Sequence, residues 1–108
     1  MNGPAQAVLD GVLSVDRLVH EPARLAILTV LSGAEQVDFG FLETVCRLSK
    51  GNLSSHLSRL EAGGMVAIEK TYRGRKPLTR VAITPVGRTA LAHYRRQLAA
   101  LVGGAGAT

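Results

Sequence analysis

The sequence predicts a mainly α-helical domain with a small β-hairpin (α+β), in the order helix, helix, short strand, helix, helix, strand, strand, helix. Three observations carry that expectation. Apolar residues recur at helical spacing up to Ala62. Beyond the Gly63–Gly64 pair the period changes to two, over two runs split by "RGRKP". A helical period then returns in "TPVGRTALAHYRRQLAALV". With 108 residues there is room for one domain. It is expected over residues 1–102, followed by a disordered tail, "GGAGAT", at 103–108.

Each element has its own reason. "AVLDGVLSVDRLV", residues 7–19, sets Val8, Val12 and Val15 on one line with Leu9 and Leu13 beside it, although Gly11 weakens a helix by about 1 kcal/mol. In "HEPARLAILTVLSG", Pro22 suits a first helical turn, where its missing N–H is no loss. Leu25, Ile27, Leu28, Val30 and Leu31 form its buried side, and Gly33 stops it. "EQVDF" is a candidate short strand. Asp38 can cap a following helix through Leu48, with Phe41, Leu42 and Val45 facing inward. Ser49 stands at the cap of the next helix, about Lys50 to Ala62, and Gly63 or Gly64 can take the left-handed cap conformation. "MVAIEKTY" and "LTRVAIT" are the hairpin strands. The first sets Val66, Ile68 and Lys70 against Met65, Ala67 and Glu69, either face being a candidate for burial. The final helix carries Leu91, Tyr94, Leu98 and Leu101 on one stripe.

Charge narrows the function classes. Lys plus Arg number 13 against 8 Asp plus Glu, a net charge of +5, and the pI near 10.2 is in the range of nucleic-acid-binding domains. From Arg47 to Arg80 there are eight basic residues and two acidic ones, Glu61 and Glu69. Most of the excess therefore lies in one third of the chain. One cysteine, Cys46, cannot form an internal disulfide and favours a reducing, cytoplasmic setting. No secretory leader pattern appears, and no apolar stretch approaches the about 18 residues that span a bilayer.

The segment "SKGNLSSHLSRLEAGGMV", residues 49–66, joins pattern to charge. On a helix Leu53, Leu57 and Leu60 fall within about 60° of one another. Gly51, Ser55, Ser58 and Arg59 lie on the far side, with Asn52 and Ser54 at the margins. The short turn "RLSK" joins this helix to the one before it, a helix-turn-helix arrangement. There the second helix enters the major groove, and short hydroxyl and amide side chains let its backbone approach bases and phosphates. A plain amphipathic helix with a serine-rich surface fits the same residues. The basic hairpin tip, Arg73, Gly74, Arg75 and Lys76, favours DNA, because its cations can neutralise phosphates or enter a narrow minor groove.

From "HEPARLAIL" to about Leu98 the chain resembles winged helix-turn-helix transcriptional regulators. "SKGNLSSHLSRLEAGGMV", "YRGRKPLT" and "ITPVGRTAL" are similar to the recognition helix, wing and closing-helix start of bacterial MarR- and ArsR-like single-domain proteins. The resemblance implies a homodimeric, sequence-specific regulator of double-stranded DNA. It implies base and phosphate contacts at Ser49, Lys50, Gly51, Asn52, Ser54, Ser55, Ser58 and Arg59, and wing contacts at Arg73, Arg75, Lys76 and Thr79. Metal-sensing ArsR-like proteins carry paired cysteines in the helix before the recognition helix, whereas "LETVCRLS" has Cys46 alone. One thiolate without a neighbour makes a poor metal site, so no metal or other cofactor is expected. Cys46 reads as a packed structural residue, or as a redox sensor if exposed with a lowered pKa.

His56 sits beside the leucine seam and reads as a packed helix residue. His20 and His93 have no ligand partner at metal spacing. Neither a phosphate-cradling glycine loop nor a nucleophile with an oriented base is present, so no catalysis is expected. The terminal helices carry apolar surface beyond the needs of one small domain, at Val8, Val12, Leu13, Leu91, Tyr94, Leu98 and Leu101. That surplus suggests a dimer face whose two-fold axis would match a palindromic operator; packing of the two helices on each other explains it as well. Two function classes follow: a DNA-binding regulator, with repression the expected sign, or a winged-helix module whose basic wing meets an acidic protein. Neither the operator nor an effector is readable from the residues.

Overall fold

The computed structural model describes residues 3–4 and 16–106, with side chains through 103. The expected helix over 7–15, with Val8, Val12 and Leu13, lies outside the described residues. Its expected end does not reach Val19, because residues 17–19 form a turn. Asp16 stabilises that turn, its carboxylate accepting from the Leu18 amide at 2.8 Å. A side-chain acceptor of this kind offers the backbone an alternative to helix.

Four helices and a three-stranded antiparallel sheet follow: α1 (Pro22–Ser32), β1 (Val37–Asp38), α2 (Phe39–Cys46), α3 (Lys50–Ala62), β2 (Val66–Arg73), β3 (Lys76–Ile83) and α4 (Pro85–Gly106). Helix α1 starts with Pro22 in its first turn and with the Glu21 carboxylate capping the Arg24 amide at 2.8 Å. Ile27, Leu28 and Leu31 are fully packed, while Leu25 and Val30 are half-buried beside them.

Helix α2 is turned relative to expectation. Leu42 is inaccessible, but Phe41 and Val45 are 54% and 47% exposed. The inward residues are Phe39, Leu42 and Cys46, spaced three and four apart so that they share one helical face. The helix stops at Arg47, which takes a left-handed conformation at φ 54°. Asp38 occupies the cap position without capping through its side chain.

Strand β3 is central, in the order β1-β3-β2. Val37 pairs with Val81, and the β2–β3 register runs from Val66↔Ile83 to Arg73↔Lys76. Gly74 takes φ 63° at the first of the two turn residues, and Arg75 is not among the positive-φ residues. This is the type II′ pattern, whose twist matches a hairpin and which glycine accepts without steric penalty.

The core is one cluster, with Leu53, Leu57 and Leu60 of α3 and Val66, Val81 and Ile83 of the sheet at its centre. Helix α4 closes it at short range. A Cβ on Gly87 would lie 2.1 Å from the Met65 carbonyl oxygen, so only glycine admits this approach. Leu91 and Tyr94, expected on a dimer face, are 2% and 4% exposed. They pack within their own chain because α1 and the 17–20 turn lie against this stretch of α4, and Tyr94 Oη stands 2.9 Å from His20 Nδ1. The helix also continues to Gly106, into the segment expected to be a tail.

Candidate nucleic-acid interface

Helices α2 and α3 meet through Arg47, Leu48 and Ser49, the expected helix-turn-helix. Ser49 caps α3, its hydroxyl oxygen accepting from the Asn52 amide at 3.2 Å. Leu53, Leu57 and Leu60 face the core. Ser49, Lys50, Gly51, Asn52, Ser54, Ser55, Ser58 and Arg59 are all exposed. All eight are thus accessible on α3 and its cap, with an ammonium and short polar groups in the first turn and no carboxylate among them.

The two flanks of α3 differ. Toward α1, His56 Nδ1 lies 3.3 Å from an Arg24 guanidinium nitrogen and 3.7 Å from a Glu21 carboxylate oxygen. Arg24 is the buried charged residue of the described chain. Its Nε donates to the Leu18 carbonyl at 2.6 Å, and a terminal nitrogen reaches the Arg17 carbonyl at 3.4 Å. Desolvation raises the Glu21 pKa, but backbone hydrogen bonds from Arg24 and Ala23, with the charges of His56 and Arg24, outweigh it and hold the carboxyl below its ordinary range. Nothing in the sequence spacing marks this cluster, since His56 lies 32 residues from Arg24.

Toward the hairpin the opposite flank is open. A cleft of about 870 Å³ separates α3 from the sheet, lined by Lys50, Ser54, Leu57, Ser58 and Glu61 of α3, Phe39, Gly40 and Glu43 of α2, and Ile68, Lys70, Pro77, Leu78 and Thr79 of the hairpin. Lys70, outside the set of expected contacts, is a further candidate contact. Its signal was the two-residue period, which sets it on the Val66–Ile68 face. The expected wing residues divide. Thr79 lines the cleft, Arg75 occupies the turn, and Arg73 and Lys76 are paired across the strands. Arg73 donates to the Asp38 carboxylate at 3.4 Å.

Cys46 is half-buried, and desolvation pushes its thiol pKa up, away from the reactive thiolate form. Among the described residues no group of three or more His, Cys, Asp or Glu is placed to hold a metal ion. No described helix is long and apolar enough to cross a membrane. His93 is exposed on α4. Of the expected dimer stripe, Leu98 is 39% exposed and Leu101 half-buried, and Val102 beside them is exposed.

Residues 23–102 match the winged helix DNA-binding domain family model. The chain belongs to that family. It is 33% identical over 78 residues to the uncharacterized protein MJ0432 of Methanocaldococcus jannaschii, covering 72% of this chain and 85% of that protein. A transcriptional regulator homologue from Pyrococcus horikoshii OT3 superposes with a TM-score of 0.84 at 29% identity, covering 93% of this chain and 98% of the other. A MarR family transcriptional regulator from Silicibacter pomeroyi shares the fold, with a TM-score of 0.65, 24% identity and coverage of 96% and 70%. The resemblance to winged-helix regulators and the winged-helix architecture are thereby borne out. The family is a DNA-binding one rather than an enzyme family, in agreement with the absence of a catalytic pattern in the sequence.

Proposed function

We propose that this winged-helix protein is a sequence-specific transcriptional regulator, a cytoplasmic repressor that binds a palindromic operator as a homodimer. One observation carries the reading: Lys50, Asn52, Ser54, Ser55, Ser58 and Arg59 of α3 are all exposed to solvent, beside a basic hairpin. In this reading α3 enters the major groove, with Lys50, Asn52, Ser54, Ser55, Ser58 and Arg59 toward bases and phosphates. The Ser49 hydroxyl holds the helix start, and the small Gly51 admits the backbone. Arg75 at the hairpin turn approaches a phosphate or the minor groove. Repression follows from a dimer occluding the site it covers.

A titration against matched and scrambled DNA at several salt concentrations tests it. Ser55→Ala is expected to change preference at one base position by about 1 kcal/mol or more. Arg75→Ala is expected to weaken both DNAs alike and reduce the salt slope by about 1 per engaged wing. A wild-type protein with no salt-dependent affinity for DNA would move the balance to the acidic-protein partner.

For the dimer, Leu98, Leu101 and Val102 of α4 are the surface, joined in this reading by Val8, Val12 and Leu13 of the N-terminal segment. Leu91 and Tyr94 support it from the core. Leu98→Glu is expected to shift sedimentation toward the monomer and to weaken operator binding. A wild type that sediments as a monomer at micromolar concentration would remove the dimer from the proposal.

A further inference from the structure

Cross-strand pairing sorts the hairpin residues between two faces. Val66↔Ile83, Ile68↔Val81, Lys70↔Thr79 and Tyr72↔Pro77 stand on one face; Glu69↔Arg80 and Arg73↔Lys76 stand on the other. The first face is buried at its base, where Val66 and Val81 are 3% and 0% exposed. Beyond Ile68 it emerges from under the helices. Lys70 and Thr79 then line the cleft opposite Lys50, Ser54 and Ser58 of α3. Tyr72 ends the face beside the turn, 71% exposed.

The second face carries three cations, Arg73, Lys76 and Arg80, of which the two arginines stand beside carboxylates. Arg73 donates to Asp38, and Arg80 stands opposite both Glu69 and Asp38 in the ladder. No described carboxylate forms an ion pair with Lys70. Glu43 and Glu61 line the same cleft, where they oppose a polyanion that Lys50 and Lys70 attract. Arg73 is thus engaged by the protein's own carboxylate, whereas Lys70 stands open toward the recognition helix.

We infer that the wing engages the DNA backbone through this inner face, an inference that rests on the DNA-binding reading above. Lys70 neutralises a phosphate across the cleft from Lys50. The Tyr72 hydroxyl donates to a phosphate oxygen while its ring lies along the sugar, and Thr79 supplies a second hydroxyl. Arg73 is a tether that fixes the hairpin to Asp38 at the start of α2, rather than a DNA contact.

Fluorescence anisotropy with a labelled mixed-sequence duplex, over a series of potassium chloride concentrations, tests the assignment. Lys70→Ala is expected to lower the salt slope by about 1 per engaged wing, and Lys70→Arg to restore it. Tyr72→Phe, which removes only the hydroxyl, is expected to weaken binding about three- to tenfold. Arg73→Ala is expected to leave the slope unchanged. Lys70→Gln, which keeps a polar side chain one atom shorter and without the charge, reads the same slope should the alanine variant fail to fold. Wild-type binding with an unaltered slope in the Lys70 variants, or a loss in Arg73→Ala equal to that expected of Lys70→Ala, would overturn the inner-face assignment alone. Absence of wild-type binding at low salt would instead remove the DNA-binding reading beneath it.

Discussion

The two flanks of α3 are built oppositely. On the α1 side, Arg24 and Glu21 converge on His56, and Arg24 also holds the Leu18 carbonyl. On the hairpin side, Lys50, Ser54 and Ser58 look across an open cleft at Lys70 and Thr79. The first flank spends its polar groups on each other and fixes where the helix sits. The second leaves hydroxyls and ammonium groups available to a ligand. Charged groups paired in a low-dielectric setting gain rigidity, whereas unpaired ones at a cleft retain their capacity to bind. A recognition helix has to be immobile with respect to its own domain and still present free donors to DNA, and here the two requirements fall on opposite sides.

The contrast is broken most severely beneath both flanks. Leu57 is 2% exposed and lies on the seam that joins them. Leu57→Ala is expected to reduce unfolding free energy by about 2–5 kcal/mol in a denaturant titration. Ser58→Ala, one position on and fully outward, is expected to change it by less than about 0.5 kcal/mol. A comparable loss at both positions would mean that the outward face is structural, and the division between the flanks would fall with it.

Arg24→Ala should come next in size. It leaves the Leu18 carbonyl without its donor and removes the contact to His56 Nδ1, a loss of about 1–3 kcal/mol in stability. DNA affinity at matched salt should fall as well, because the pose of α3 loses its anchor, yet the salt slope should stay at the wild-type value since no phosphate contact is removed. A changed slope would place Arg24 among the DNA contacts and erase the distinction between anchored and open sides.

Much of this arrangement was legible in the residues. The order of elements from Pro22 onward, the cap at Ser49, the leucine seam and the tight basic turn all follow from local rules, and the structure has them. What failed was decided by packing between elements. Helix α2 has eight residues, five of them apolar, so two rotations bury similar surface. Contact with β3 and α3 selects Phe39, Leu42 and Cys46 over Phe41 and Val45. Leu91 and Tyr94 looked like surplus because their partners, α1 and His20, lie more than 50 residues earlier. Lys70 shows a different shortfall. The alternation in "MVAIEKTY" sets it on the Val66–Ile68 face but leaves open which face meets the helices, and only packing decides that.

The smallest expected effect tests the anchored flank by its acid response. The Glu21 carboxyl is opposed by desolvation, yet it is held below its ordinary range by the Arg24 and Ala23 amides and by the charges of His56 and Arg24. A carboxylate whose folded pKa lies below its unfolded one contributes stability that is fully present above the unfolded value. That stability is lost as pH falls through the folded one. Wild-type protein should therefore lose melting temperature on acidification below the ordinary carboxylate range. Glu21→Gln, which has no ionisable group to protonate there, should start lower near neutral pH and converge with wild type in acid. The gap is expected to be modest because the carboxylate is part-exposed and screened by solvent. Parallel melting curves for the two proteins across that range would show that the Glu21 charge does no work at the α1 flank, leaving Arg24 alone as its anchor.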